Sequence, residues 1–251
     1  MMDIKATTKY QINEYIKSIK IFYLVVILVI ALFGVLINTS ASSNFRSTGG
    51  IEGSAMIFLF ILGLNSFKET FLMMLQNGTT RKSMFIGRLL TISVTSVFMA
   101  VVDRFIVNVG SLLNDMSDSF HIGGMYEMIF NKRAESLHIV AMNLEAVLIT
   151  IGVYAAAMVA GYFITSAYYR MSKMLKIAVS IGVPTSLMIL LPVLDAAVFE
   201  GKVSRALGRF FGFVFGGTTG NPYNLLLTCT VFVIVALGLT WLLIRKTVEK
   251  N

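Results

Sequence analysis

Glu145 is the ionisable residue placed most deeply within an apolar segment of the chain, MNLEAVLITIGVYAAAMVAGY. A charged group in a membrane helix usually faces a bundle interior or a water-filled cavity, so Glu145 is a candidate for the lining of a translocation path. Two alternatives stay open: the carboxylate reaches water at the outer leaflet, or it pairs with Arg104. We expect no second acid or base to accompany Glu145 inside the bilayer, which argues against a proton relay.

Other residues with catalytic potential lie in one connection, residues 103–138. They could bind a metal or form a hydrolase at the membrane edge, but they match neither H-E-x-x-H nor G-x-S-x-G. The phosphate loop G-x-x-x-x-G-K-[ST] is also missing, and Cys229 is the only cysteine. We therefore expect no enzymatic activity and no cofactor or metal on this chain. The alternative is a self-contained membrane enzyme or accessory protein built from His121, His138, Asp115, Asp118, Glu127 and Glu135.

Membrane helices must position these residues. Of the 251 residues, 56% are hydrophobic and 14% are charged, which is outside the usual range of soluble proteins. Since a membrane helix needs about 20 apolar residues, we predict an all-α membrane protein in which residues 21–244 form one transmembrane domain. Its six spans are predicted at 21–37, 51–67, 84–102, 139–165, 175–194 and 223–244.

The formal net charge of +8 does not indicate a nucleic-acid-binding protein. Lys and Arg cluster beside the hydrophobic segments, as orientation signals do, and form no basic stripe with interleaved aromatic residues. Fourteen of the 21 Lys and Arg residues fall on the side that holds both termini. By the positive-inside rule we expect a multi-pass protein of the cell membrane with both termini cytoplasmic, the tail being residues 245–251.

The N-terminal residues 1–20 are polar but carry apolar side chains at helical spacing, at Ile12, Tyr15, Ile16 and Ile19. This pattern predicts a cytoplasmic amphipathic helix that lies on the inner leaflet and leads into the first span. An unstructured cytosolic tail is the alternative.

The connection between the second and third spans, residues 65–88, has more local pattern than a simple loop. Lys68 and Glu69 would each cost about 2.5–3.5 kcal/mol at mid-bilayer, so we place both in water and end the second span near Phe67. From there Phe67, Phe71 and Leu75 form a helical stripe, which predicts a short helix over residues 70–77.

The end of this short helix also has a local signature. Gly78 follows Asn77 and is suited to a left-handed cap, and the two threonines after it can cap the next helix, which opens with Arg81 and Lys82. Together these features indicate a helical hairpin that projects into the cytosol. A solvated loop whose Met and Phe side chains enter the lipid is the alternative.

Residues 195–221 are too apolar for a free loop and predict one or two short re-entrant helices in the outer leaflet before the sixth span. Lys202, Arg205 and Arg209 would share one helical face. Such a basic face in the outer leaflet suits anionic lipid headgroups. Two functions of this basic face stay open: ordinary anchoring at the membrane interface and contact with a substrate.

The stretch LQNGTTRKSMFIGRLL is similar to the leucine, glycine, Ser/Thr-Arg-Lys pattern of small exporter permeases of Gram-positive bacteria. With six spans, cytoplasmic termini, an amphipathic entry helix and a re-entrant segment before the last span, the whole chain resembles the permease subunit of a bacterial ABC exporter of the type V fold. The resemblance covers the full chain in architecture, but in sequence it depends mainly on this one stretch.

The resemblance implies that two permeases, identical or paired with a similar one, sit on two separate ATPase subunits that bind ATP and Mg. Residues 66–82 would be the coupling helix that docks on the ATPase, with Arg81 and Lys82 holding it at the headgroup layer. The substrate would be apolar or amphipathic, a peptide, a lipid or a drug. The residues implied in coupling are Phe67, Phe71, Leu72, Leu75, Asn77, Gly78, Arg81 and Lys82.

Overall fold

The computed structural model describes residues 4–39, 45–48, 50–114, 120–216 and 220–245. Within them, six helical segments are long and apolar enough to cross a membrane. This confirms the prediction of a helical, multi-pass membrane protein with six spans. The segments are Ile4–Leu32, Gly50–Gln76, Arg81–Leu112, Ile139–Arg170, Lys173–Ala197 and Pro222–Ile244.

The first helix, α1, is continuous from Ile4 to Thr39. The sequence placed a separate interfacial helix before the first span, but no break occurs near residue 20, where the chain has neither glycine nor proline. At about 1.5 Å per residue, 36 residues exceed the thickness of the hydrocarbon core. The amphipathic segment and the first span therefore form one continuous helix, whose N-terminal part buries Thr7, Gln11, Tyr15 and Ile19.

The second and third spans belong to α2 and α4, which flank the predicted hairpin. Helix α2 covers Gly50–Asn65, α3 covers Lys68–Gln76 and α4 covers Arg81–Asn114. Because α4 extends well past residue 102, Asp103 and Arg104 lie inside it. The sequence analysis counted both residues in the connection that follows the third span, and in the structure this part of the connection continues the helix.

A short pair of parallel strands joins two connections, the one between α1 and α2 and the one that follows α4. Strand β1, Phe45–Thr48, pairs with β2, Phe120–Gly123, with Phe45 opposite Phe120. The sequence predicted no strand in either connection. Two short helices follow β2, which are α5, Met125–Ile129, and α6, Asn131–Ser136.

Helix α7, Ile139–Arg170, is the central helix of the bundle and packs against α2, α4 and the last helix. Its closest approach is to α2. A Cβ atom at Gly161 would lie 2.3 Å from the Phe60 carbonyl oxygen, and one at Gly63 would lie 2.2 Å from the Met158 carbonyl oxygen. Glycine at both positions therefore permits the backbone contact between the two helices.

The fifth span is irregular and has few contacts with the bundle. It consists of α8, Lys173–Thr185, a π-helical turn, Ser186–Leu190, and α9, Leu191–Ala197. No residue of α8 or of the π-helical turn is buried. An amphipathic helix, α10, Lys202–Val214, and the sixth span, α11, Pro222–Ile244, complete the described chain.

Candidate functional site

The hairpin between the second and third spans has the local geometry that the sequence predicts. The amide of Asn77 donates to the Met73 carbonyl at 3.1 Å, and that of Gly78 donates to the Leu75 carbonyl at 2.9 Å. Gly78 has φ +70°, the left-handed conformation that glycine adopts without strain. The Thr80 hydroxyl then accepts from the Ser83 amide at 3.2 Å and caps α4.

The aromatic side of α3 faces the protein's own bundle. The Phe67 and Phe71 rings stack at 4.9 Å, and their exposed fractions are 2% and 4%. Tyr169 of α7 lies edge-on to both rings, at 5.5 Å and 5.9 Å, and Tyr162 lies 5.8 Å from Phe67. Because both rings are enclosed by the same chain, they are not available for docking. The residues available for docking thus differ from those implied by the resemblance.

Part of the hairpin surface stays accessible, although Leu75 also packs against the buried cluster that contains Phe67 and Phe71. Leu72 and Leu75 are half-buried, whereas Gln76, Asn77 and Lys82 are exposed. We refer to these five residues as the tip surface. The tip surface thus combines two partly exposed leucines with two uncharged polar side chains and one lysine.

Arg81 makes a contact within the chain that the resemblance did not imply. Its Nη1 donates to the carbonyl oxygen of Arg245 at 2.8 Å, directly after the last residue of α11. The last carbonyls of a helix lack donors within the helix and carry partial negative charge, so a guanidinium suits this position. Arg81 therefore ties the hairpin to the end of the sixth span, while Lys82 stays exposed.

The N-terminal part of α1 lies against the hairpin, which the sequence did not predict. The Thr70 hydroxyl donates to the Glu14 carboxylate at 3.1 Å, and Gln11 Nε2 contacts Met74 Sδ at 3.6 Å. The available signal was the spacing of Thr7, Gln11 and Tyr15 on one side of α1, but polar residues on a helix usually indicate a solvated face.

Arg88 of α4 is buried at the base of the hairpin. It donates to the Ser66 carbonyl at 2.6 Å and to the Tyr15 hydroxyl, and its guanidinium lies 5.4 Å from the ring centre of Tyr15 and 5.7 Å from that of Tyr162. Carbonyl and π-face contacts offset the cost of a buried cation. One side chain thereby connects α1, the end of α2, α4 and α7.

A second buried polar cluster lies farther along α4, toward the strand pair. Asp103 accepts from the Tyr23 hydroxyl at 2.9 Å and from the Tyr154 hydroxyl. The next residue, Arg104, pairs with Glu127 of α5 at 2.5 Å. Side chains from three other helices, α1, α5 and α7, thus contact two charged neighbours on α4.

The prediction that Glu145 is the only ionisable residue within the spans is therefore wrong. Glu52 and Arg88 fall within the predicted spans at 51–67 and 84–102, Asp103 and Arg104 lie in the helix that contains the third span, and all four side chains are buried. The sequence argument moved charges out of the spans because an unpaired charge is costly there. Partners on distant helices remove much of that cost, so the argument against a proton relay loses its basis.

Glu145 itself forms an ion pair. Its carboxylate accepts from Arg133 Nε at 2.8 Å, and the pairing with Arg104 considered from the sequence does not occur because Arg104 pairs with Glu127. The Arg133 guanidinium also lies 5.3 Å from the ring centre of Tyr223. The hydrogen bond to Glu145 raises the pKa of Arg133 above its usual value. The pair holds α6 against α7 and α11. The burial of Glu145 is therefore explained by this ion pair, without a translocation path.

The histidines and acids of residues 103–138 do not form a shared site in the described chain. His138 caps α7, with its Nδ1 accepting from the Val140 amide at 3.4 Å, and Glu127 is engaged by Arg104. Asp115 and Asp118 lie outside the described residues, and the side chain of His121 is not described. Among the residues that are described, no group of three His, Cys, Asp or Glu residues could hold a metal ion.

An apolar cavity of about 520 Å³ opens between α2, α7 and α11. Its lining is almost entirely hydrocarbon and thioether, including Met56, Phe60, Val153, Cys229 and Phe232. A cavity of this kind accepts an apolar group and offers few partners to a polar one.

The comparisons with known proteins do not identify the chain. No protein-family description, no curated protein and no solved structure matches it.

Proposed function

We propose that this protein is the membrane-spanning permease subunit of an ATP-driven ABC exporter in the cell membrane, with both termini in the cytoplasm. The observation that carries the proposal is the hairpin at residues 66–82. One side of it is packed into the bundle by aromatic rings, while the tip surface stays accessible in part, with Leu72 and Leu75 half-buried and the other three residues exposed. Six spans and the sequence LQNGTTRKSMFIGRLL also support it.

The contacts of the hairpin support a role in transmitting force. Stacked Phe67 and Phe71 fix α3 to α7, Arg81 ties it to the end of α11, and Arg88 joins its base to α1 and α4. A partner that pushes on the tip surface would therefore displace the ends of several spans together. Such rigid-body coupling is a known way to switch a passage between two states.

ATP and Mg would bind to the separate ATPase subunit, because this chain lacks a phosphate loop. Docking on that subunit would use Leu72 and Leu75 as apolar contacts, with Gln76, Asn77 and Lys82 around them. Phe67 and Phe71, which the resemblance implied as docking contacts, would act instead by holding α3 in place.

The fifth span supports assembly with a second permease, identical or similar. It has no buried residue in α8 or in the π-helical turn, and Pro184 and Pro192 each remove a backbone donor from it. Proline-interrupted membrane helices depend on neighbouring helices and polar groups to satisfy the freed backbone groups. A second permease against this span would supply that neighbour.

The substrate is proposed to be apolar or amphipathic: a peptide, a lipid or a drug. The lining of the cavity between α2, α7 and α11 supports this class. No contact of the described residues favours the alternative of a membrane enzyme, since His138 and Glu127 are engaged in structural contacts.

The test is co-purification with the soluble protein that carries a phosphate loop and is encoded beside this chain. Replacing Leu72 by Asp should weaken the complex by about 30-fold or more, because the loss of a central interface contact costs about 2 kcal/mol or more. Met174, an exposed apolar residue at the same membrane face, provides the control as Met174→Asp. Equal recovery of the ATPase with both variants contradicts the docking proposal.

A further inference from the structure

Helix α10 divides into two sides of opposite character. At 100° per residue, Lys202, Arg205 and Arg209 fall within one narrow sector. The opposite sector carries Val203, Leu207, Phe210, Phe211 and Val214, and Phe213 lies next to Lys202. Basic residues on one side and aromatic and aliphatic residues on the other are typical of helices that lie in a membrane interface.

The start of α10 is fixed to the end of the fifth span. Asp195 of α9 accepts from the Val203 amide at 2.8 Å and from the Ser204 amide at 2.8 Å. Gly201, with φ +75°, makes the turn between the two helices. The helix therefore begins at the membrane boundary and cannot move freely away from it.

The apolar side of α10 meets little of its own chain. The side chains of Leu207, Phe210 and Phe211 remain exposed, with 60% of Phe210 uncovered. This amount of exposed aromatic surface is stable in lipid but would be costly in water. The apolar side therefore needs the acyl region of a bilayer.

The basic side is also open. Arg205 donates to the carbonyls of Gly201 at 3.1 Å and Glu200 at 2.9 Å, and Lys202 lies 3.7 Å from the Glu200 carboxylate. Both side chains of the Lys202–Glu200 pair are exposed, so the pair contributes little to stability. The Glu200 carboxylate lies near Lys202 and the Asp195 carboxylate near Arg205, so three cations stand against two acids and an excess of positive charge is left for an anion.

We propose that α10 lies in the headgroup layer of one leaflet and selects anionic phospholipids through Lys202, Arg205 and Arg209. Three spans separate α10 from the hairpin, so the two elements lie at opposite membrane faces. Charge complementarity identifies the lipid headgroup as the occupant, and the exposed Phe side identifies the acyl chains beneath it. This inference goes beyond the proposed transport function and does not depend on the ATPase partner.

The test uses the full-length chain in nanodiscs with a tryptophan probe on α10. Trp241→Phe removes the only native tryptophan, and Phe210→Trp places a probe on the apolar side. Brominated phosphatidylglycerol, which is anionic, should quench the probe more strongly than brominated phosphatidylcholine. Because each cation near an anionic surface contributes about 1 kcal/mol, each charge removed should lower the preference about fivefold.

The deciding variant carries Lys202→Gln, Arg205→Gln and Arg209→Gln, and its preference for the anionic lipid should be lost. The matched control removes three exposed lysines of α1 at the opposite face, as Lys5→Gln, Lys9→Gln and Lys17→Gln, and should keep the preference. Equal quenching by the two lipids with the basic side intact overturns the proposal. A preference for the anionic lipid that survives in the triple variant of α10 also overturns the proposal. The same holds for a probe that neither lipid quenches because protein covers it.

Discussion

The burial of Phe71 leads to a prediction that separates packing from docking on α3. Phe71 is 4% exposed, stacks on Phe67 at 4.9 Å and contacts the Tyr169 ring at 5.9 Å. Phe71→Ala removes a buried ring and should lower the stability of the hairpin by about 3–5 kcal/mol. Leu72→Ala removes a half-exposed side chain, so its cost should stay below about 1 kcal/mol.

Amide hydrogen exchange of the purified protein in detergent measures this difference. The reporting amides are those of Asn77, Gly78 and Thr79, which donate within the hairpin. Local opening that is easier by about 3 kcal/mol should speed their exchange about 100-fold in Phe71→Ala. In Leu72→Ala the same amides should exchange at nearly the unchanged rate.

Phe71→Leu serves as the control, because it keeps an apolar side chain and should give an intermediate rate. Equal exchange in the Phe71→Ala and Leu72→Ala proteins would refute the assignment of an inner and an outer side to α3. Faster exchange in the Leu72→Ala protein alone would reverse that assignment.

Two further predictions concern the bundle. Gly63→Ala places a Cβ atom 2.2 Å from the Met158 carbonyl oxygen and should lower the free energy of unfolding by about 1–3 kcal/mol. The control is Gly53→Ala in the same helix, where a Cβ atom meets no atom within 4 Å. It should change the free energy of unfolding by no more than about 1 kcal/mol. Arg133→Gln leaves the buried Glu145 carboxylate unpaired and should cost about 3–5 kcal/mol, more than Glu145→Gln. Thermal unfolding of the glycine variants, of the Arg133 and Glu145 single variants and of their double variant measures these losses of stability. Additive effects of the Arg133 and Glu145 substitutions would contradict the ion pair.

The parts of the hairpin that the sequence predicted are those determined by neighbouring residues. Gly78 and Thr80 act within one turn of themselves, so their residue types are enough to predict a left-handed stop and a helix cap. The stripe of Phe67 and Phe71 correctly predicted a helix with an apolar side. It could not show what that side packs against, because Tyr169 is about a hundred residues away in sequence.

The membrane spans were predicted for a similar reason, since hydropathy is summed over consecutive residues. The burial of charged side chains within them was not predicted. Asp103 accepts hydrogen bonds from Tyr23 and Tyr154, and Arg104 pairs with Glu127, so the burial of each depends on side chains from other elements. A single sequence gives the cost of placing a charge in lipid but does not give the partner that offsets it.

The continuity of α1 and the strand pair were missed for opposite reasons. In α1 no glycine or proline marks a stop near residue 20, and the helix continues where a change in polarity had indicated a boundary. In β1 and β2 only four residues pair on each side, which is too short for a clear alternating pattern.

The central claim is that the tip surface contacts an ATPase, and site-specific photo-crosslinking tests it most directly. A photoreactive amino acid is placed at Leu72 or Gln76 in cells that produce the protein, and the adduct is identified by mass spectrometry. The account predicts an adduct with a protein that carries G-x-x-x-x-G-K-[ST] from both positions, and none from Met174 at the same membrane face. Adducts with lipid alone, or with proteins that lack this motif, would contradict it.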